Sequence, residues 1–490
     1  MPAAAAGGLA ATLEVLTQTT QETVVRLIET VNGIPAVAQC EDDARMLADV
    51  PPPADPALAS KVEGGRGTLA RLAALERSGR YSDGLAAILP VVAEADALGY
   101  TPFQAEAHLL AGQLYMHVVD PRNSLRHLDE ALRLAVAARA DAIAAEAIAV
   151  KLYVLAVGER RPEEALALAP LAAAFVQRIG DPPLAEARLH NAIGTVHHER
   201  GSAILSMREF ERSLALFEEF APDDPLRWAA ANNLANALVN TGQHARARTI
   251  ARAALAGLER QYDQCYPSAA AVRGVAAAAD AALGEFERAF ADYKVAIDCF
   301  AADYPEYALI NLAELGALHL TRGEAERTEQ VLAAADRLLA ASPESRSRAQ
   351  EIELLRADLA LQRGDRAAAR QSLTDLRGKT LPETDGGLRV DTRLGLLAHL
   401  EHEETTALAL LEGAQRMLAP DHANAERGLY AFTLAQVLRA LEREPERVDT
   451  LVEAAIEAYA ATGVPNAGRV AEIRAWKQGP VQGSAGGSAG

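Results

Sequence analysis

The feature that most constrains the fold of this chain is a glycine that recurs about every forty residues. Six such glycines each end one stretch of periodic apolar residues and precede another, and neighbouring members are 39 to 43 residues apart. A fixed period of this length is typical of arrays in which helical hairpins are stacked on one another. The six are Gly158, Gly201, Gly242, Gly284, Gly323 and Gly364.

The same interval extends in both directions from these six. Gly79 lies two periods before Gly158, and the turn at Asp120 and Pro121 fills the midpoint. Beyond Gly364, Glu403 and Glu444 continue the period without a glycine. Aromatic residues make up only 4% of the chain and alanine strings recur, which favours closely packed helices over a sheet. The sequence therefore predicts an all-α array of about ten hairpins.

The residues around each glycine follow a second pattern. Small residues stand seven positions before it and again five and twelve positions after it, and a large residue stands nine positions after it. This pattern resembles the tetratricopeptide repeat, on the longer period of kinesin-light-chain-like arrays. The resemblance implies an α-solenoid, a right-handed superhelix whose concave groove is lined by the first helix of each hairpin. The clearest members are Gly194, Phe210, Ala235, Ala247, Ala254, Ala277, Ala289, Tyr293, Ala296 and Gly316.

The pattern also divides the chain into segments. Residues 1–50 are predicted to form an N-terminal helical cap, and the proline-rich residues 51–56 an extended connector. The repeat array is predicted over residues 57–465. A C-terminal capping helix is expected at residues 466–477, and residues 478–490, rich in glycine, serine and alanine, are predicted to be a flexible tail.

The opening segment carries a narrower resemblance. Ile34-Pro35, Cys40-Glu41-Asp42 and Leu47 to Val50, followed by three prolines, are similar to the segment that joins the kinase domain to the tetratricopeptide array in myxobacterial serine/threonine protein kinases. The chain has no glycine-rich phosphate loop on a strand, no H-R-D loop and no D-F-G. The resemblance therefore implies a regulatory or scaffolding part of such a protein, or a stand-alone relative, without kinase activity.

Charge and cysteine content narrow the partners and the compartment. The net charge of -19 disfavours general binding to nucleic acid or to anionic membranes. Cys40, Cys265 and Cys299 are too few and too scattered for a disulfide framework or a zinc site. We expect three small buried thiols in a cytoplasmic protein. No catalytic, cofactor or metal motif emerges, so none of these is predicted.

The predicted groove offers candidate binding residues, found by counting back from Gly201 and Gly242. Asparagines four apart on one helix share a face, and each amide can both donate to and accept from a peptide backbone. The alternative is that these asparagines hydrogen-bond neighbouring helices or water. The candidates are Arg188, Asn191, Thr195, His198, Asn232, Asn233, Asn236 and Asn240.

The sequence thus predicts a non-catalytic bacterial adaptor or sensor that binds a protein or peptide partner in its groove. One alternative is the regulatory or substrate-docking region of a kinase signalling protein. Another is a structural homo-oligomer joined through the N-terminal helix.

Overall fold

A computed structural model describes residues 12–14, 17, 52–180, 182–262, 265–302, 304–343, 345, 349–380, 385–415 and 425–479. Within these ranges, helices alternate with short turns and no strand occurs. The chain forms two compact units, Met1–Leu234 and Ala235–Gly490, and the boundary falls inside a helix. The predicted all-α fold of tetratricopeptide-like hairpins is confirmed.

The first unit contains four complete hairpins and the start of a fifth. In each hairpin the two helices are antiparallel and joined by a short turn. Its helices are α1 Pro56–Arg77, α2 Tyr81–Leu98, α3 Thr101–His117, α4 Pro121–Ala138, α5 Asp141–Tyr153, α6 Pro162–Arg178, α7 Pro183–Glu199, α8 Ala203–Phe220 and α9 Leu226–Asn240, the last of which crosses into the second unit.

The second unit completes the fifth hairpin and adds five more, so the described residues hold ten hairpins in all, as predicted. Its further helices are α10 His244–Gln261, α11 Pro267–Ala282, α12 Phe286–Phe300, α13 Pro305–Thr321, α14 Ala325–Ala341, α15 Ala349–Gln362, α16 Arg366–Arg377, α17 Asp385–Leu400, α18 Glu404–Gln415, α19 Ala425–Ala440, α20 Pro445–Ala461 and α21 Ala467–Gln478.

The turn glycines adopt the backbone conformation that the spacing predicts, with one exception. Gly201 and Gly242 have φ of 80° and 75°, a left-handed conformation that glycine adopts without steric cost. Gly158 does not share it, because α5 continues into a π-helical turn, Val154–Gly158. Arg160, with φ of 55°, takes the left-handed position instead. The repeat interval therefore locates this turn correctly, but the residue with the left-handed conformation is Arg160 and not Gly158.

Small residues before each turn allow the two helices of a hairpin to approach closely. A Cβ added at Gly194 on α7 would lie 2.6 Å from the ring of Phe210 on α8. Phe210 is itself buried and has little room to move away. In this hairpin the small position before the turn and the large position after it therefore form one contact.

We expect Gly194→Val to lower the free energy of unfolding by about 1–3 kcal/mol, because the added methyl groups overpack the contact with Phe210. Urea unfolding followed by circular dichroism measures the change. Gly67→Val is the matched control, since a Cβ at Gly67 meets nothing within 4 Å. Equal effects of the two substitutions would show that the close approach has no energetic weight.

The prediction of three buried free thiols is wrong for two of the cysteines. Cys265 and Cys299 form a disulfide, with Cα atoms 4.9 Å apart. Cys265 precedes α11 and Cys299 lies in the last turn of α12, so the antiparallel hairpin brings together residues 34 positions apart. Sequence spacing alone could not show this, because it does not tell whether two side chains at the same end of a hairpin face each other. Cys40 lies outside the described residues.

The predicted N-terminal cap lies outside the described residues apart from positions 12–14 and 17, and the tail does so from residue 480 onward. At the C-terminal end, α21 packs on the preceding hairpin. The Trp476 ring meets that of Phe432 edge-on at 5.3 Å, and the Arg439 guanidinium lies 3.4 Å from the centre of the Trp476 ring. This cation–π contact accompanies a hydrogen bond from Arg439 to the Trp476 carbonyl.

Candidate functional site

The first four candidate residues lie on α7, in the first unit. Arg188 is exposed, and its Nη2 atom lies 4.0 Å from the Asp224 carboxylate. Thr195 donates a hydrogen bond from its hydroxyl to the carbonyl of Asn191, one turn earlier. His198 is half-buried in the last turn of the helix. The spacing therefore placed these residues on one helix as expected, and Arg188 already has an acidic neighbour.

The asparagines of α7 and α9 meet in the first unit. Asn233 donates from Nδ2 to Oδ1 of Asn191 at 3.1 Å, across the two helices. Asn232 donates to Oδ1 of Asn233 at the long distance of 3.5 Å. The Oδ1 atom of Asn232 is buried and accepts no hydrogen bond within the described residues. Two of the candidate asparagines, Asn191 and Asn233, thus hydrogen-bond each other between helices, as the alternative interpretation expects.

Asn236 and Asn240 follow Asn232 at four-residue steps along α9, and both are half-buried. They lie beyond the unit boundary, in the first residues of the second unit. The structure therefore brings Asn191, Asn232 and Asn233 together within one unit, and leaves Asn236 and Asn240 as predictions.

This arrangement has a defined hydrogen-bonding capacity. Because the Asn233 amide donates to Asn191, the orientation of both amides is set by the contact. The half-buried Asn232 amide has hydrogen-bonding capacity beyond its long contact to Asn233. Arg188 adds a cation at the edge of the same surface. The chemistry available here is hydrogen bonding and ion pairing.

Sequence reasoning missed a buried pair of histidines in the first unit. The Nδ1 atoms of His108 on α3 and His127 on α4 lie 3.0 Å apart, and both side chains are buried. Burial, followed by the Arg126 charge and then by His108, lowers the pKa of His127 to about 4. The repeat spacing does not mark these residues, because each occupies an inward position normally filled by an apolar side chain.

A buried ion network in the second unit was missed for the same reason. Arg393 on α17 is 5% exposed and donates to both oxygens of Asp358 at 2.7 and 2.8 Å. It also donates to both oxygens of Glu426 at 2.7 and 2.8 Å. Burial opposes the charge of Arg393, but the two carboxylates outweigh it and raise its pKa well above the usual value. One guanidinium therefore ties α15, α17 and α19 together.

A second network joins α10, α11 and α12. Arg252 contacts the fully buried Asp280 and donates to Asp292 at 2.5 Å. Arg273 donates to the other oxygen of Asp292 at 3.1 Å. Asp280 and Arg273 lie on α11. The charges of this network belong to the packing between helices.

Two searches of the described residues concern metals and membranes. No group of three or more histidine, cysteine, aspartate or glutamate side chains in these ranges could hold a metal ion. None of the helices there is both long and apolar enough to cross a bilayer.

Comparison with solved structures shows the fold. A Rap protein, crystallised in complex with the Competence and Sporulation Factor, superposes with a TM-score of 0.50 at 13% identity, covering 81% of this chain and 99% of that one. The apo quorum sensor NprR from B. thuringiensis gives 0.47 at 15% identity, covering 70% and 99%. The human IFIT1 dimer with PPP-AAAA gives 0.47 at 14% identity, covering 90% and 99%. No family model and no curated protein matches the sequence.

Proposed function

We propose that this protein is a non-catalytic scaffold or sensor that binds a peptide or protein partner against α7 and α9. The observation that carries the proposal is the group of half-buried amides that Asn191, Asn232 and Asn233 form on α7 and α9. An extended peptide supplies backbone N–H and C=O groups at regular spacing, with which side-chain amides can exchange hydrogen bonds.

Two further observations support the proposal. The Rap protein with a similar fold was crystallised with a separate factor bound to it. Five of the eight candidate residues are asparagines, joined by the Arg188 guanidinium, the Thr195 hydroxyl and the His198 imidazole, and such a set can recognise a ligand by hydrogen bonding and charge. The proposal therefore includes no catalytic step and no cofactor.

Selection of a random displayed-peptide library against the full chain, followed by calorimetry on the selected peptides, tests this function. We expect Asn232→Ala to weaken binding by about tenfold, which corresponds to one buried hydrogen bond. Arg188→Ala should weaken the binding of acidic peptides more than the binding of neutral ones. Arg212→Ala, at an exposed position on α8, is the control and should leave binding unchanged.

The proposal fails if the selected peptides bind the wild type and the Asn232→Ala and Arg188→Ala variants with equal affinity. In that case the peptides bind elsewhere on the chain. Circular dichroism of each variant establishes that its helicity is unchanged.

We also propose a signalling role in the bacterial cytoplasm. The alternatives are the regulatory or substrate-docking region of a kinase signalling protein, and a homo-oligomer joined through the N-terminal helix. The Cys265–Cys299 disulfide weighs against a strongly reducing compartment, where such bonds are rare. Alkylation of the protein at lysis, followed by counting of blocked thiols by mass spectrometry, tests this point. Three blocked cysteines would support a location in the cytoplasm, and a single blocked cysteine would contradict it.

A further inference from the structure

The histidine pair of the first unit is part of a longer chain of polar contacts whose proton positions can be deduced. An Nη2 atom of Arg126 lies 3.0 Å from Nε2 of His127. Because a guanidinium only donates, His127 Nε2 must accept and so carries no proton. A neutral His127 is then protonated on Nδ1, which lies 3.0 Å from Nδ1 of His108.

The same reasoning gives the proton position on the second ring, that of His108. His127 Nδ1 donates, so His108 Nδ1 accepts and the proton of a neutral His108 is on Nε2. That Nε2 atom faces Oδ1 of Asp96 on α2 at 3.5 Å. The contacts thus run in one direction, from Arg126 through His127 and His108 to Asp96. Three helices, α2, α3 and α4, contribute to this relay.

An added proton breaks the relay at whichever nitrogen accepts it. On His127 Nε2 it displaces the Arg126 hydrogen bond and places two cations next to each other. On His108 Nδ1 it leaves two N–H groups facing each other, 3.0 Å apart between their nitrogens. Both rings are buried, at 7% exposure for His108 and 3% for His127, so water cannot replace the lost partners without opening the hairpin.

The surroundings leave few groups to compensate for the added charge. On α3, the Tyr115 ring stacks on His127 with centroids 5.4 Å apart. Asp96 faces His108 rather than His127, and Glu130 on α4 is engaged by Arg133. Charged residues on the flanking helices contact other partners: Glu76 of α1 contacts His117, and Lys151 of α5 contacts Asp129.

We propose that the Arg126–His127–His108–Asp96 relay is an acid-sensitive switch that holds the α3–α4 hairpin closed while both rings are neutral and loosens it when His127 takes a proton. The stimulus is a fall in pH, and the response is local opening of one hairpin. Each hairpin of a repeat array contacts only its neighbours, so such an opening can occur without unfolding the rest of the chain.

Nitrogen-15 NMR of the histidine side chains in the full chain tests the proton positions. At pH 7.5 we expect His127 as the Nδ1–H tautomer and His108 as the Nε2–H tautomer. Assignment of each signal uses His108→Gln and His127→Gln. A neutral His127 protonated on Nε2, or a cationic His127 at this pH, would overturn the proposal whatever the variants do.

Hydrogen exchange of the α3 and α4 amides, corrected for intrinsic rates, tests the response. Between pH 7 and pH 4.5, we expect the opening constant to rise by up to about sixtyfold in the wild type, as a histidine with a pKa near 4 when folded and 6.5 when unfolded requires. Glutamine at position 127 can accept from Arg126 and donate to His108, but does not titrate. His127→Gln should therefore abolish most of the rise.

His190→Gln is the matched control, because His190 contacts the carboxylate of Glu209 at 2.7 Å rather than another histidine. In this variant the opening constant of the α3 and α4 amides should rise in acid as much as it does in the wild type. An equal rise in the wild type and in His127→Gln would show that acid acts through other groups, and would refute the switch.

Discussion

Arg393→Met is expected to lower the free energy of unfolding of the second unit by about 3–5 kcal/mol, the range for removing one partner of a buried ion pair. Methionine keeps the apolar stem of the side chain and removes the guanidinium, so the loss comes mainly from charge and hydrogen bonds. Asp358 and Glu426 would each lose two hydrogen bonds from the guanidinium. Urea unfolding at pH 7 measures the change.

The pH dependence of the same variant gives a second readout. Burial raises the pKa of Glu426, but Arg393 and then Arg389 outweigh it and lower the pKa to about 2, from an ordinary 4.5. A carboxyl with a lowered pKa stabilises the fold above its unfolded value, and this stabilisation is lost as the pH falls from 4.5 toward 2. Without Arg393 the pKa of Glu426 is lowered less, so acid removes less stabilisation from the variant. The difference in stability between wild type and Arg393→Met should therefore narrow in acid.

Arg363→Met is the matched control for this network. Arg363 pairs with Glu329, and both side chains are exposed to solvent, where ion pairs contribute little. We expect no measurable change in unfolding from this substitution. A similar effect of the two variants, or a difference that widens in acid, would show that Arg393 does not stabilise the unit through its carboxylate partners.

Gly463→Val is expected to destabilise the second unit by about 3 kcal/mol, through backbone strain and a steric clash together. Gly463 has φ of 86°, which valine adopts only at high cost. A Cβ there would also lie 2.2 Å from the carbonyl oxygen of Ala282. Ala282 ends α11, so the residue after the last hairpin touches a helix near the start of the unit.

A neighbouring contact shows what this substitution would disturb. His244 donates from Nε2 to the Ala461 carbonyl at 2.7 Å, between residues 217 positions apart. A Cβ on Gly242 would likewise lie 3.0 Å from that same carbonyl oxygen. Within the second unit, the end of α20 and the residues that follow it therefore pack on the turns of the fifth and sixth hairpins, and Gly463→Val should separate them.

Thermal unfolding of Gly463→Val should show a fall in Tm of about 6–12 °C for a unit of this size. Increased hydrogen exchange at the start of α10 and the end of α11 would locate the effect at the contact. Gly468→Val, where a Cβ meets nothing within 4 Å, is the control and should change Tm little. An unchanged Tm for Gly463→Val would mean that the contact is not maintained in solution.

Much of the fold was predictable because hairpin packing is local in sequence. The contact between Gly194 and Phe210 joins residues sixteen positions apart, and the same interval joins Gly112 to Leu128 and Gly395 to Leu411. A periodic pattern therefore reports it directly. The candidate site was only partly accessible in this way. Spacing put Asn191 and Asn233 on facing helices, but the direction of the hydrogen bond between them depends on side-chain geometry that no spacing contains.

The sequence by itself determined the all-α class, the number of hairpins and the position of their turns, since these depend on helix propensity and on contacts within one period. Only the tertiary structure decided that Cys265 meets Cys299, that His108 contacts His127, that Arg393 spans three helices, and that Gly463 touches Ala282. These pairings depend on how each helix is rotated and on how small rotations accumulate from one hairpin to the next. A repeat pattern leaves both quantities unspecified, because the same apolar spacing is compatible with many of their values.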